Sequence, residues 1–135
     1  MADNILKILF ITVVVLALAG CTSTSKTSTV EYCESKFKDK PVELLYSCYM
    51  NIAVENLDSS ICSKIPVGDA NKTGCYAGIA VGSNNSDICN GIEASYKNNC
   101  LSEIANECSC LPSVAANSPE VCAQVKQMGF AGACE

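Results

Sequence analysis

Residues 58–80 read DSSICSKIPVGDANKTGCYAGIA and contain one complete copy of a pattern that repeats along the chain. The pattern begins with a short motif, in which a Thr, Asp, Asn or Ser stands four residues before a Cys. Its four copies are Thr29–Cys33, Asp58–Cys62, Asn85–Cys89 and Ser118–Cys122. Side chains of these four types accept hydrogen bonds from the open N–H groups at a helix start. The motif therefore predicts four short helices, and Pro119 suits the first helical position of the last one.

Each of the first three short motifs is followed by a second motif, Cys-x-x-x-Ile-Ala. Its copies are Cys48–Ala53, Cys75–Ala80 and Cys100–Ala105. Because a Cys and an Ile four residues apart lie on one face of a helix, this motif predicts three longer helices. Pro41, Pro66 and Gly91 favour turns between the helices. A unit of this size cannot bury its own apolar face, so we expect the units to stack. The sequence thus predicts an all-α protein, a small array of short helical hairpins.

Cysteines are expected to staple this array together. Aromatic residues make up only 6% of the chain and Trp is absent, so a purely hydrophobic core would be thin. The chain has eleven cysteines, and ten remain when Cys21 is set aside. These ten are Cys33, Cys48, Cys62, Cys75, Cys89, Cys100, Cys108, Cys110, Cys122 and Cys134. An even number in an exported chain predicts up to five disulfides, each adding roughly 2–4 kcal/mol to stability.

Helix geometry favours bridges within each hairpin over bridges between hairpins. In an antiparallel hairpin, a Cys one turn before the end of the first helix lies level with a Cys one turn into the second. This predicts the bridges Cys33–Cys48, Cys62–Cys75, Cys89–Cys100 and Cys122–Cys134. A Cys48–Cys62 bridge would carry an axial offset of about 7 Å, near the limit for a disulfide. Cys108 and Cys110 remain in an insertion, and a direct bridge between them is an alternative that would be strained.

The first twenty residues are predicted to be a secretory signal peptide. Lys7 precedes an apolar run from Ile8 to Ala19, which is too short for a membrane-spanning helix. The run ends in Leu18-Ala19-Gly20-Cys21, which resembles the lipobox of prokaryotic lipoproteins. The resemblance implies cleavage after Gly20 and lipidation of the Cys21 thiol, as a lipoprotein carrying diacylglyceryl and palmitate-type chains. Two acyl chains suffice for stable membrane anchoring.

Residues 21–29 comprise the lipidated Cys21 and a Ser/Thr-rich tether, and residues 30–135 form the Cys-rich helical repeat domain. The tether has no apolar residue after Cys21, and its eight residues reach at most roughly 28 Å. The folded part is therefore expected near the outer face of a membrane. Residues 29–135 are similar to Cys-rich helical-repeat lipoproteins of bacteria and archaea, whose function is uncharacterised, so the resemblance implies no active site.

Composition excludes several classes of chemistry. The net charge is −5 with no arginine, which argues against a nucleic-acid partner. The chain has no histidine, so Ser-His and Cys-His catalysis and His-ligated metals are excluded. The sequence predicts no catalytic, cofactor-binding or metal-ligating residue and no cofactor.

Two functional hypotheses follow. The favoured one is a membrane-anchored, non-enzymatic protein of the cell envelope, which meets the bilayer through Cys21 and supports the surface or binds a protein partner there. The alternative is a thiol redox or metal-handling protein that uses Cys108 and Cys110. Reactive thiols need a lowered pKa, whereas the nearby Glu103 and Glu107 would raise it.

Overall fold

The computed structural model describes residues 29–133, and in that part of the chain every regular element is helical. The α-helices are α1 (Val30–Lys36), α2 (Val42–Asn56), α3 (Ser59–Cys62), α4 (Ala70–Gly82), α5 (Lys97–Cys110), α6 (Pro112–Asn117) and α7 (Pro119–Gln127). A 3₁₀ helix, Ser86–Gly91, stands between α4 and α5. The prediction of an all-α, disulfide-stapled fold is confirmed. The predicted signal peptide, Cys21, most of the tether and Cys134 lie outside the described residues.

Three of the four short helices begin as their motif predicts. The side chains of Thr29, Asp58 and Asn85 accept hydrogen bonds from backbone N–H groups in the first turn. The third of these helices is a 3₁₀ helix and not an α-helix. None of the described helices is long and apolar enough to cross a membrane.

The fourth short helix begins at the predicted place but is capped differently. The Ser118 hydroxyl donates 2.9 Å to the carbonyl of Val81 and does not cap its own helix. The side-chain oxygen of Asn84 instead accepts from the backbone N–H of Val121, also at 2.9 Å. Gln124 completes this contact, because its Oε1 accepts from both the backbone and the hydroxyl of Ser86. Helix α7 is thus fixed to the end of α4 by side chains distant in sequence.

Left-handed residues end the helices and set the boundaries between units. Leu57, Asn84 and Gly129 have φ angles of 53°, 54° and 88°. The residue after each donates its N–H to a carbonyl five positions back, a common helix-ending bond. These bonds are Asp58 to Ala53, Asn85 to Ala80 and Phe130 to Val125. The same two residues that close α2 and α4 in this way, Asp58 and Asn85, also cap the next short helix.

The repeated apolar positions form one continuous core. Ile52, Ile79 and Ile104 of the second motif are 3%, 1% and 0% exposed, and the alanines that follow them are equally buried. The apolar residues three positions after a Cys of the short motif are also buried, namely Ile65, Ile92 and Val125. The two repeated motifs therefore supply facing sides of the same core.

Three glycines bring α2 and α4 together. Gly74, Gly78 and Gly82 recur every four residues and face Met50, Val54 and Leu57 of the preceding unit. A Cβ atom on Gly78 would lie 2.8 Å from a Val54 methyl, closer than real contacts allow. Helix α5 has Asn99, Glu103 and Glu107 at the corresponding positions, 25 residues later. Helix α5 thus carries polar side chains at the positions where α4 carries its close-packed glycines.

Disulfides confirm three of the four predicted pairings. Cys33–Cys48, Cys62–Cys75 and Cys89–Cys100 are bonded, each with a Cα–Cα distance of 5.8 Å. Each bridge joins a short helix to the longer helix that follows it. The hairpin geometry inferred from the sequence is thus correct for the first three units.

The predicted Cys122–Cys134 bridge is wrong, because Cys122 is bonded to Cys108 with Cα atoms 5.6 Å apart. Helix α5 continues to Cys110, beyond the point where α2 and α4 end. Cys108 lies two turns after Cys100, and helix α6 returns the chain so that α7 packs beside α5. Cys110 is also disulfide-bonded, so the alternative Cys108–Cys110 bridge is excluded as well.

Candidate functional site

The cysteine pair of the redox hypothesis is oxidised in this structure. Cys108 is bonded to Cys122, and Cys110 is likewise in a disulfide. A nucleophilic or metal-binding cysteine must offer a thiolate, so neither sulfur provides that chemistry in this state. Within residues 29–133, no three His, Cys, Asp or Glu side chains are grouped so that they could hold a metal ion.

A polar groove of about 430 Å³ lies between α4 and α5. Its polar lining consists of Asp69, Thr73, Tyr96, Asn99, Ser102 and Glu103. Asp69 and Thr73 are one turn apart at the start of α4, and the other four residues extend from the residue before α5 along its first two turns. Each wall of the groove therefore presents a carboxylate and at least one hydroxyl, and the α5 wall adds the carboxamide of Asn99.

The internal repeat explains why a groove forms here. Thr73 corresponds to Tyr46 of the first unit, 27 residues earlier, so a smaller side chain stands at this position. On the facing helix, Asn99 and Glu103 replace the glycines that close the contact between α2 and α4. Polar side chains in place of close-packed glycines keep this contact open to solvent.

The two walls of the groove are held by local structure. Asp69 Oδ1 accepts from the backbone and side-chain nitrogens of Asn71 at 2.8 and 2.9 Å, which fixes the start of α4. Gly68, which precedes Asp69 on the same wall, has a φ of 88°. A Cβ on it would lie 3.3 Å from the hydroxyl oxygen of Tyr96, which belongs to the opposite wall. Glycine is therefore the residue that suits both the backbone conformation and the approach of Tyr96.

Negative charge dominates the groove. Asp69 and Glu103 stand on opposite walls, and no lysine is among the described residues that line it. The buried Lys72 on α4 is occupied elsewhere, because its Nζ lies 2.9 Å from Glu93 Oε1. The hydrogen bond from Lys72, together with a backbone hydrogen bond and the charge of Lys72, lowers the pKa of Glu93. The groove thus suits a positively charged group with hydrogen-bond donors.

A second cavity, of about 340 Å³, lies beside the Cys108–Cys122 bridge. Val125, Phe130 and the stem of Lys126 line it together with the chain that follows α7. That chain packs tightly on α5, since a Cβ on Gly132 would collide with the Ala105 carbonyl oxygen. Nearby, burial and the charge of Glu103 raise the pKa of Glu107.

The groove residues were not predicted from the sequence. The signal available was the loss of the repeated glycines, which becomes visible only when Gly74 and Gly78 are aligned with Asn99 and Glu103. The predicted lipidation site, Cys21, lies outside the described residues. Comparisons with protein-family models, with curated proteins and with solved structures found no match.

Proposed function

We propose that this chain is a membrane-anchored lipoprotein of the cell envelope, with a non-enzymatic helical domain that binds a partner. The observation that carries the proposal is the set of four disulfides, each of which joins two helices. Such bridges persist in exported, oxidising surroundings and are rare in the cytosol. The lipobox at Leu18–Cys21 supplies the anchor in this proposal, and the tether holds the domain close to the bilayer.

The polar groove is the proposed binding site for a basic side chain of a protein partner. Asp69 and Glu103 offer carboxylates from two sides, while Tyr96 adds an aromatic ring that attracts cations. The overall charge of −5 favours the approach of a basic partner as well.

Lipidation is tested by mass analysis of the protein from membranes. The proposal expects the first mature residue to be Cys21, with a mass increment of diacylglyceryl and acyl chains. A Cys21→Ser variant should lose that increment and leave the membrane fraction. An unmodified Cys21 in a chain that still begins at Met1 would overturn the anchor.

Partner binding is tested by cross-linking in detergent-solubilised membranes. Thr73→Tyr restores the residue of the first unit and fills the groove, while Glu103→Lys reverses one wall charge. Both variants should lose a cross-linked protein that the wild type retains. Glu55→Lys on the exposed surface of α2 is the matched charge control and should retain it. Equal retention by all three variants would remove the groove from the proposal.

A further inference from the structure

A basic corner stands out on a chain that is otherwise acidic. Residues 36–40 read KFKDK, with three lysines and one aspartate, and so carry a local charge of +2 within a chain of net charge −5. No other five-residue stretch contains three lysines. The segment joins α1 to α2, and all three lysines are exposed. We call residues 36–40, together with the neighbouring Tyr32, Val42 and Leu44, the basic corner.

Exposed apolar side chains stand close in sequence to these lysines. Tyr32, Val42 and Leu44 are 41%, 46% and 47% exposed, and they are three of the seven large exposed apolar residues in the described part of the chain. Lys36 contacts one of them directly, because its Nζ donates a hydrogen bond to the Tyr32 hydroxyl at 2.6 Å. The same nitrogen lies 5.0 Å and 5.6 Å from the ring centroids of Tyr32 and Phe37. Aromatic and basic groups therefore form one contiguous surface.

The acidic residues around the corner are partly engaged elsewhere. Glu34 accepts from the Tyr49 hydroxyl at 3.1 Å and lies 3.8 Å from Lys64, so it faces the next short helix. Glu31 is in the first turn of α1, at the opposite end of that helix from the lysines. Glu43 is in the first turn of α2, where the helix dipole favours a negative charge.

We propose that the basic corner lies against an anionic lipid surface, and this inference rests on the proposed lipidation of Cys21. The eight residues from Thr22 to Thr29 span at most roughly 28 Å, and α1 adds about 10 Å. The corner is therefore within reach of the bilayer that holds the anchor. Lysines beside an anionic membrane and aromatic rings at its interface both favour this orientation.

The orientation has a consequence for the rest of the domain. With the first unit on the lipid surface, the later units and the polar groove between α4 and α5 extend away from it. The lipid chains provide retention on the membrane, while the basic corner determines which face of the domain meets the bilayer.

The test uses the full mature chain, residues 21–135, carrying Cys21→Ser so that no lipid contributes. Co-sedimentation is measured with phosphatidylcholine vesicles and with vesicles that also contain phosphatidylglycerol. We expect binding to the anionic vesicles only, weakening as salt is raised. The double variant Lys38→Gln/Lys40→Gln should bind more weakly by about five-fold per lysine removed. The control Lys97→Gln/Lys126→Gln has the same net charge and should bind like the parent.

Equal loss in both double variants would overturn the proposal, because only general charge would then matter. Equal binding to neutral and anionic vesicles, or binding to neither, would overturn it too. These outcomes are independent of the anchor, since the mass of Cys21 in the wild-type protein is measured separately. An unlipidated wild type would refute the anchor without changing the vesicle result.

Discussion

Asn84 Oδ1 accepts a hydrogen bond from the backbone N–H of Val121 at 2.9 Å, across 37 residues of sequence. The residue that ends α4 therefore caps α7. Its own backbone is left-handed, with a φ of 54°, a conformation that Asn tolerates better than most residues. Because Val121 is fully buried, its N–H has no access to water that could replace this bond.

Asn84→Ala is expected to destabilise the domain by about 2–4 kcal/mol. The change removes the hydrogen bond to Val121. It also puts alanine, whose side chain has no polar group to form a local hydrogen bond, into a left-handed backbone conformation. Asn84→Gly separates the two causes, since glycine adopts this backbone without strain and loses only the hydrogen bond. Urea unfolding with the disulfides intact measures both, and we expect wild type to be most stable and Ala least. An Ala variant as stable as wild type would contradict the assigned role of Asn84.

Two alanine substitutions in α4 should have opposite effects. Gly78→Ala places a Cβ 2.8 Å from the stiff, β-branched Val54, and such overpacking costs roughly 1–3 kcal/mol. Gly74→Ala meets only the flexible Met50 sulfur at 3.4 Å, so the gain in helix propensity of up to about 1 kcal/mol should prevail. Thermal unfolding of the two variants tests the contact between α2 and α4. Equal shifts in Tm would show that the helices are not in close contact.

Glu107 is expected to weaken the fold at neutral pH. Burial, followed by the charge of Glu103, raises its pKa above the ordinary 4.5. The folded chain then holds this proton more tightly than the unfolded chain, so stability is lost as pH rises from about 4.5 through the raised value. Glu107→Gln should therefore be more stable than wild type at pH 7, and the advantage should vanish at acidic pH. Thermal unfolding across this range measures the difference.

Glu103→Gln serves as the control for this pH dependence. It removes the neighbouring charge but leaves the burial of Glu107, which is the larger cause. Its stabilising effect should be smaller than that of Glu107→Gln. A constant difference between Glu107→Gln and wild type at all pH values would contradict the titration of this carboxyl.

Cys110 is expected to pair with Cys134. The other described cysteines are bonded among themselves, and Cys21 is proposed to carry the lipid. The backbone N–H of Ala133 donates a hydrogen bond to Asn106 Oδ1 at 3.0 Å. Asn106 lies one helical turn before Cys110, and Cys134 is the residue after Ala133, so the chain is held near Cys110 next to Cys134 in sequence. Peptide mapping of the unreduced protein should find this bridge, and Cys134→Ser should expose one reactive thiol. A native protein with two free thiols would instead revive the redox hypothesis.

The sequence was sufficient for the first three units because local rules decide them. Capping residues such as Asp58, and Cys and Ile four residues apart, act within one or two helical turns. The predicted disulfide of the fourth unit was wrong because the length of α5 determines which cysteine lies beside Cys122. Helix α2 ends at Leu57, which is left-handed although it is not a glycine. Nothing in the local composition indicates that α5 continues past the corresponding position. The longer helix places Cys108 beside Cys122, and Cys122 therefore pairs with Cys108 and not with Cys134.

The groove could not be predicted for a different reason. Thr73 and Glu103 are 30 residues apart, and neither is one of the repeated residues that define the two motifs. Their proximity depends on how α4 and α5 stack, which is a property of the packed array. The cap of α7 by Asn84 is hidden in the same way, because a capping residue is usually sought beside the helix that it caps.

The disulfides also determine the order in which the chain can oxidise as it enters oxidising surroundings from its N-terminus. The first three bridges join successive cysteines, and their loops neither overlap nor enclose one another. Each can close as soon as its second cysteine emerges, without waiting for distant sequence. Cys108 departs from this rule, because Cys110 emerges before its true partner Cys122. Among these four bridges, that of the last unit is therefore the one for which a competing cysteine is available before the native partner.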